Sequence, residues 1–103
     1  MEKERSDIVV VGAGAVGCAI AYFLSKAGLQ VTILEKESIG SGSSAHATGL
    51  FTLLGNDFSE GASFEMALAS HSICQEVVPV LEKETSIPIQ LQKRKAIRLA
   101  LDD

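Results

Sequence analysis

The sequence is poor in positive charge, in cysteine and in long apolar runs, and each shortage removes a class of protein. Lys and Arg number 9 against 13 Asp and Glu, so the chain carries a net charge of −4. A surface that grips the phosphate backbone of nucleic acid must be cationic. The basic run Lys93-Arg94-Lys95 is too short for such a surface and reads as a solvated turn. No nucleic-acid partner is expected. Cys18 and Cys74 are too few for a disulfide-stapled scaffold, which fits a reducing compartment and a cytoplasmic location. Cys18 lies among small residues and reads as a small hydrophobe rather than a reactive thiol.

The most apolar stretch, Ile8 to Leu24, is broken by Gly12, Gly14 and Gly17 and is shorter than the ~20 apolar residues a spanning helix needs. The segment before it, MEKERSD, mixes both charge signs, unlike the basic start of a signal peptide. No membrane span is expected. With 47% hydrophobic and 21% charged residues over 103 positions, the chain can fold, but it holds at most about one domain.

What is present is a change of period. Ile8-Val9-Val10-Val11 is a β-branched run ended by glycine, suited to a strand covered on both faces of a parallel sheet. From Val16 the spacing becomes helical: Val16, Ile20, Phe23, Leu24 and Ala27 fall together, with Ser25 and Lys26 turned outward. Gly28 stands where a helix ends. Val31-Thr32-Ile33-Leu34 is a second strand, closed by Glu35. Strand, helix and strand in this order make a βαβ unit. Residues Ser38 to Gly49 form a loop dense in Gly and Ser, and Leu50-Phe51-Thr52-Leu53-Leu54 reads as packed.

A second helical pattern runs from about Ser59 to Thr85, with Phe64, Ala67, Leu68, His71, Cys74, Val78 and Leu81 on one side. Pro79 is expected to kink or restart it, because proline lacks the N–H donor and crowds the preceding turn. His71 reads as a satisfied core or interface residue. Ile87–Leu91 and Ala96–Leu101 are expected to be short strands around the basic turn.

Gly12-Ala13-Gly14-Ala15-Val16-Gly17 is a G-x-G-x-x-G pattern between strand and helix. That setting, with an acidic residue closing the next strand, marks a dinucleotide site. Gly12 makes the turn, Gly14 lets a pyrophosphate approach the backbone, and Gly17 lets helix and sheet pack closely. The helix start, with the amides of Ala15 and Val16, offers donors and a positive dipole end to the diphosphate. Glu35 is placed to accept from ribose hydroxyls, and its charge disfavours a 2′-phosphate. The pattern does not separate FAD from NAD, since both contain the same ADP unit.

The stretches "DIVVVGAGAVGCAIAYFLSKAG", "VTILEKE" and "GSGSSAHATGL", with "IQLQKRKAIRLALD", resemble the D-amino-acid-oxidase-like family of FAD-dependent oxidoreductases. The resemblance covers nearly the whole chain. It implies an α/β fold: a Rossmann-type βαβ FAD-binding unit with a parallel sheet, and the start of a mixed-sheet substrate domain. Residues 1–86 would be the first part of the FAD-binding domain and 87–103 the first substrate-domain strands. The rest of the enzyme, with its catalytic residues, is expected outside this chain, and no residue here is assigned to catalysis. Ser43 and Ser44 would face the diphosphate. Lys36 would flank the adenosine beside Glu35. Thr48, Gly49 and Leu50 would approach the flavin with their backbone. The implied activity is oxidation of an amine or amino acid, a small-molecule substrate, by hydride transfer to flavin. Lys95 stands where this family often has glycine.

His46 lies in Ser44-Ala45-His46-Ala47-Thr48-Gly49-Leu50. Some family members carry a histidine bonded covalently to flavin in a similar stretch, with tryptophan where this chain has Ala45. A neutral imidazole can play that part. Two other roles fit: a hydrogen bond to phosphate or backbone, and packing against the flavin. Three rival functions stand beside this one: an FAD enzyme for a hydroxy acid or glycerol 3-phosphate, which shares this front end, an NAD-binding dehydrogenase, and a non-catalytic dinucleotide-binding module.

Overall fold

The computed structural model describes residues 5–53, 61–95 and 97. Strand β1 (Ile8–Val11), helix α1 (Ala15–Lys26) and strand β2 (Val31–Leu34) come first, then a single 3₁₀ turn at Ser43–His46 and helix α2 (Ala62–Thr85). The chain divides into two compact units, Met1–Gly49 and Leu50–Asp103. The first is an α/β unit with the expected βαβ order.

In that unit β1 and β2 pair in parallel, Ile8 opposite Val31 and Val11 opposite Leu34. The β-branched runs favour this pleated pairing. The amides of Asp7 and Ile8 donate to the Gln30 carbonyl, and the Gln30 amide donates back to the Asp7 carboxylate at 2.8 Å, which pins the strand starts. Helix α1 ends at Ala27, and Gly28 takes φ +89°, the left-handed conformation that a stopping helix asks of glycine.

Two expectations about burial are corrected. Three large residues expected on the packed side of α1 lie outside it, Val16 at 74% exposed and Ile20 and Phe23 about half exposed, whereas Leu24 is half-buried as expected. The buried or half-buried positions are Gly17, Cys18, Ala21, Tyr22 and Leu24. A Cβ at Gly17 would lie 2.0 Å from the Gly12 carbonyl oxygen. The helix therefore meets the strand end at Gly17, where a larger residue cannot fit. Within this chain Val9 and Val11 of strand β1 are exposed, so nothing among the described residues covers both of its faces.

The second unit is built on α2. Glu65 in its first turn and Lys83 in its last complement the helix dipole. Ser86 closes it at φ 58°, its amide donating to the Glu82 carbonyl at 2.9 Å. Phe64, Ala67, His71, Cys74, Val78 and Leu81 are half-buried as the period predicts, whereas Leu68 is exposed. Pro79 lies inside the helix and does not restart it. One missing donor is outweighed by the helical bonds on either side. His71 is satisfied: its ring stacks on Phe51 at 5.2 Å, and its Nδ1 accepts from Gln75 Nε2. Leu50 is exposed rather than packed, Phe51 is about half exposed with its ring stacked on His71, and Thr52 and Leu53 are half-buried.

The strand expected at Ile87–Leu91 is also corrected, because these residues have no regular structure. The amides of Ile89 and Gln90 both donate to the Glu82 side chain, and Gln90 takes φ 57°. Amides committed to a helix side chain cannot join a ladder, and a left-handed residue breaks an extended run. Most of the partner strand expected at Ala96–Leu101 lies outside the described residues, as does Leu54.

Candidate functional site

The site grows from the end of β1. Gly12 donates to the Leu34 carbonyl at 2.7 Å, which extends the strand pairing by one bond. It then takes φ +100°, a conformation open to glycine and costly for residues with a Cβ. The chain reverses through Ala13, which is only 2% exposed, and enters α1 at the cap residue Gly14. The first intrahelical amide bond is Cys18 to the Gly14 carbonyl. By position, the amides of Ala15, Val16 and Gly17 have no partner within the helix.

The loop after β2 folds back over this turn. Gly40 donates to the Ala13 carbonyl at 2.8 Å. The Ser44 hydroxyl accepts from the Ala15 amide at 2.9 Å. Gly14 itself makes no side-chain cap, so Ser44 caps α1 from a distant point in the chain. A Cβ at Gly14 would stand 3.2 Å from that hydroxyl, so glycine keeps open the space between turn and loop.

Two adjoining clefts result, of about 330 and 250 Å³. Gly12, Gly14, Ala15, Val16, Gly17, Ser43 and Ser44 line the first, with Ile20 beside them. Gly14, Glu35, Lys36, Ser43 and Ser44 line the second, with Glu37 and the loop Gly40-Ser41-Gly42. They meet at Gly14, Ser43 and Ser44. Nine of the thirteen expected cofactor residues are thus brought together. His46, Thr48, Gly49 and Leu50 line neither cleft. Thr48 and Gly49 are exposed on the loop, and Leu50 opens the second unit, 81% exposed.

The carboxylate of Glu35 accepts from the Ala13 amide at 2.8 Å and from the Glu37 amide at 2.9 Å. These donors, Ala13 first, hold its pKa below the ordinary 4.5. Lys36 pairs with Glu37 at 3.6 Å on the surface, a contact of little energetic weight. His46 ends the 3₁₀ turn, and its Nδ1 donates to the Gly42 carbonyl at 2.9 Å. In the neutral ring Nε2 then keeps its lone pair. Sequence reasoning missed Ala13, whose side chain is unremarkable, and missed Ser41 and Gly42. The composition of the loop was the only signal for those two.

The site suits an ADP-containing group. It has a glycine turn without side chains, helix-start amides without intrahelical partners, and hydroxyls and a carboxylate on its rim. Residues 7–103 match the FAD dependent oxidoreductase family, DAO. The chain belongs to that family. It is 35% identical to human mitochondrial dimethylglycine dehydrogenase over 99 residues, covering 95% of this chain and 11% of the relative. It is 32% identical to glycine oxidase of Geobacillus kaustophilus over 96 residues, 93% of this chain and 26% of the relative. Among solved structures, glycine oxidase from Bacillus cereus superposes with a TM-score of 0.71 at 35% identity, over 81% of this chain and 22% of that one. The chain therefore spans about a tenth to a quarter of the length of these relatives. Membership in this family implies FAD as the cofactor. Among the described residues, no helix is long and apolar enough to cross a membrane.

Proposed function

We propose that this chain forms the FAD-binding front of an enzyme that oxidises a small amine or amino acid at the carbon beside nitrogen. The observation that carries the reading is the meeting of the two clefts at Gly14, Ser43 and Ser44, where a diphosphate would join the two ends of a dinucleotide. The amine class is favoured by the relatives, whose names are those of a dimethylglycine dehydrogenase and a glycine oxidase. When bound, FAD supplies the acceptor for the substrate's hydride.

The chain's own residues hold and orient. Of the two amides expected to serve the diphosphate, Ala15 is taken by the Ser44 hydroxyl, so Val16, with the Gly17 amide and the positive end of α1, would face it. Ser43 and Ser44 add hydroxyl donors. Glu35 keeps one lone-pair direction on each oxygen beyond its two amide partners, enough for the ribose hydroxyls, and Lys36 flanks the adenosine. Thr48 and Gly49, beyond the two clefts, would turn their backbone toward the flavin. In the same reading His46 is the point of covalent attachment. Its Nδ1 is committed to Gly42, which leaves Nε2 as the nucleophile.

The test is the absorption spectrum of the protein expressed at the full length its gene encodes, before and after anaerobic addition of substrates. Flavin bands bleached by small amines and not by hydroxy acids or glycerol 3-phosphate are expected. Bleaching by hydroxy acids alone would transfer the assignment to that class. A nicotinamide requirement without flavin bands would remove FAD. For His46, colour should stay with acid-precipitated protein and be released in His46→Ala; full release from the unsubstituted protein ends the tether reading.

A further inference from the structure

The Glu35 carboxylate faces the glycine turn. One oxygen takes the Ala13 amide and the other takes the Glu37 amide. The Ala13 peptide is held on its other side as well, where its carbonyl accepts from Gly40. Ala13 is the middle residue of the turn between Gly12 and Gly14, and it is buried. Both of its polar groups are therefore spoken for, one by the end of β2 and one by the loop that follows.

We propose that Glu35 is a positioning residue for the diphosphate: by gripping the Ala13 amide it sets where the glycine turn presents its backbone, independently of any contact with ribose. This rests on the cofactor reading above and extends it. The chemistry requires a carboxylate. Glutamine has one acceptor oxygen and a donor NH₂, so it can satisfy one of the two amides and must set its own N–H groups against the other. A residue that only bound ribose would lose its importance once the ribose hydroxyls were removed.

That difference is measurable as a double-mutant cycle on the full-length protein stripped of flavin. Kd is measured by flavin fluorescence for FAD and for an FAD whose adenosine ribose lacks both hydroxyls, in unsubstituted protein and in Glu35→Gln. The expected result is that E35Q still weakens the dideoxy analogue, by about fivefold, a loss of the size of one net hydrogen bond. An E35Q effect confined to FAD and absent with the analogue overturns the proposal. A second measurement needs neither variant nor ligand. In flavin-free protein labelled with ¹⁵N-alanine, the Ala13 amide shift should follow a carboxyl titration, and its failure to do so also overturns the proposal. Failure of the unsubstituted protein to bind either nucleotide would instead bring down the cofactor reading. The amide titration tells these two failures apart.

Discussion

The two units of this chain are specified by opposite means. In the first, the decisive positions are those where a side chain is missing. Gly17 lies against the Gly12 carbonyl, Gly14 leaves room beside Ser44, and Gly12 takes a left-handed φ. In the second, side chains decide. A stripe of half-buried residues runs along α2, and Glu82 gathers the amides that follow it. Backbone-to-backbone contact leaves no slack, whereas a helix with an exposed face can absorb change. The glycine-built unit should be brittle and the helical unit tolerant.

The largest effect that could break this contrast comes from Gly17→Ala. The added carbon would stand 2.0 Å from backbone oxygen, and backbone cannot move aside as a side-chain tip can. A loss of about 3 kcal/mol or more is expected, with little bound flavin in the purified protein. An unchanged melting temperature would show that α1 is not held against the strand end. Gly12→Ala separates sterics from strain, since nothing lies within 4 Å of the new carbon. Only the φ of +100° is penalised, so a smaller loss of about 1–2 kcal/mol is expected by denaturant unfolding.

Next in size, Ser44→Ala removes the cap on the Ala15 amide. It should cost about 1 kcal/mol, with Ser44→Thr restoring part of it. Pro79→Ala sharpens the other half of the comparison. It supplies a donor inside α2 and should raise stability, by about 1 kcal/mol.

The smallest effect is on pH dependence. The folded pKa of Glu35 lies below its ordinary value of 4.5, so folding favours the ionised form. This contribution is complete above 4.5 and fades as pH falls through the folded pKa. Between pH 6 and 3, E35Q should show a shallower fall in stability than the unsubstituted protein. Equal slopes would mean that the carboxylate gains nothing from its two amides.

Much of the first unit could be read before any coordinates. The strands Ile8–Val11 and Val31–Leu34 appear at the expected residues, because β-branched runs bounded by Gly and Glu leave few alternatives. The glycine turn and its acidic partner were legible for the same reason: each glycine answers a local demand. The tail was not legible. Ile87–Leu91 has a strand's composition, but its amides find Glu82 first, and no local pattern announces a side chain several residues upstream. The packed side of α1 was misread because periodicity ranks residues by hydrophobicity, while the contact with the strand end selects by size.

The sequence by itself determined the βαβ order, the glycine turn and the family to which they belong, since these follow from local backbone preference and short-range spacing. Only the tertiary structure decided that Ser44 caps α1, that Gly40 holds the Ala13 carbonyl, and that Glu35 faces inward to the turn as well as outward. Those contacts join residues 22 to 29 positions apart. A hydrogen bond across such a span depends on where the fold brings two short groups within about 3 Å, which no single stretch of sequence encodes.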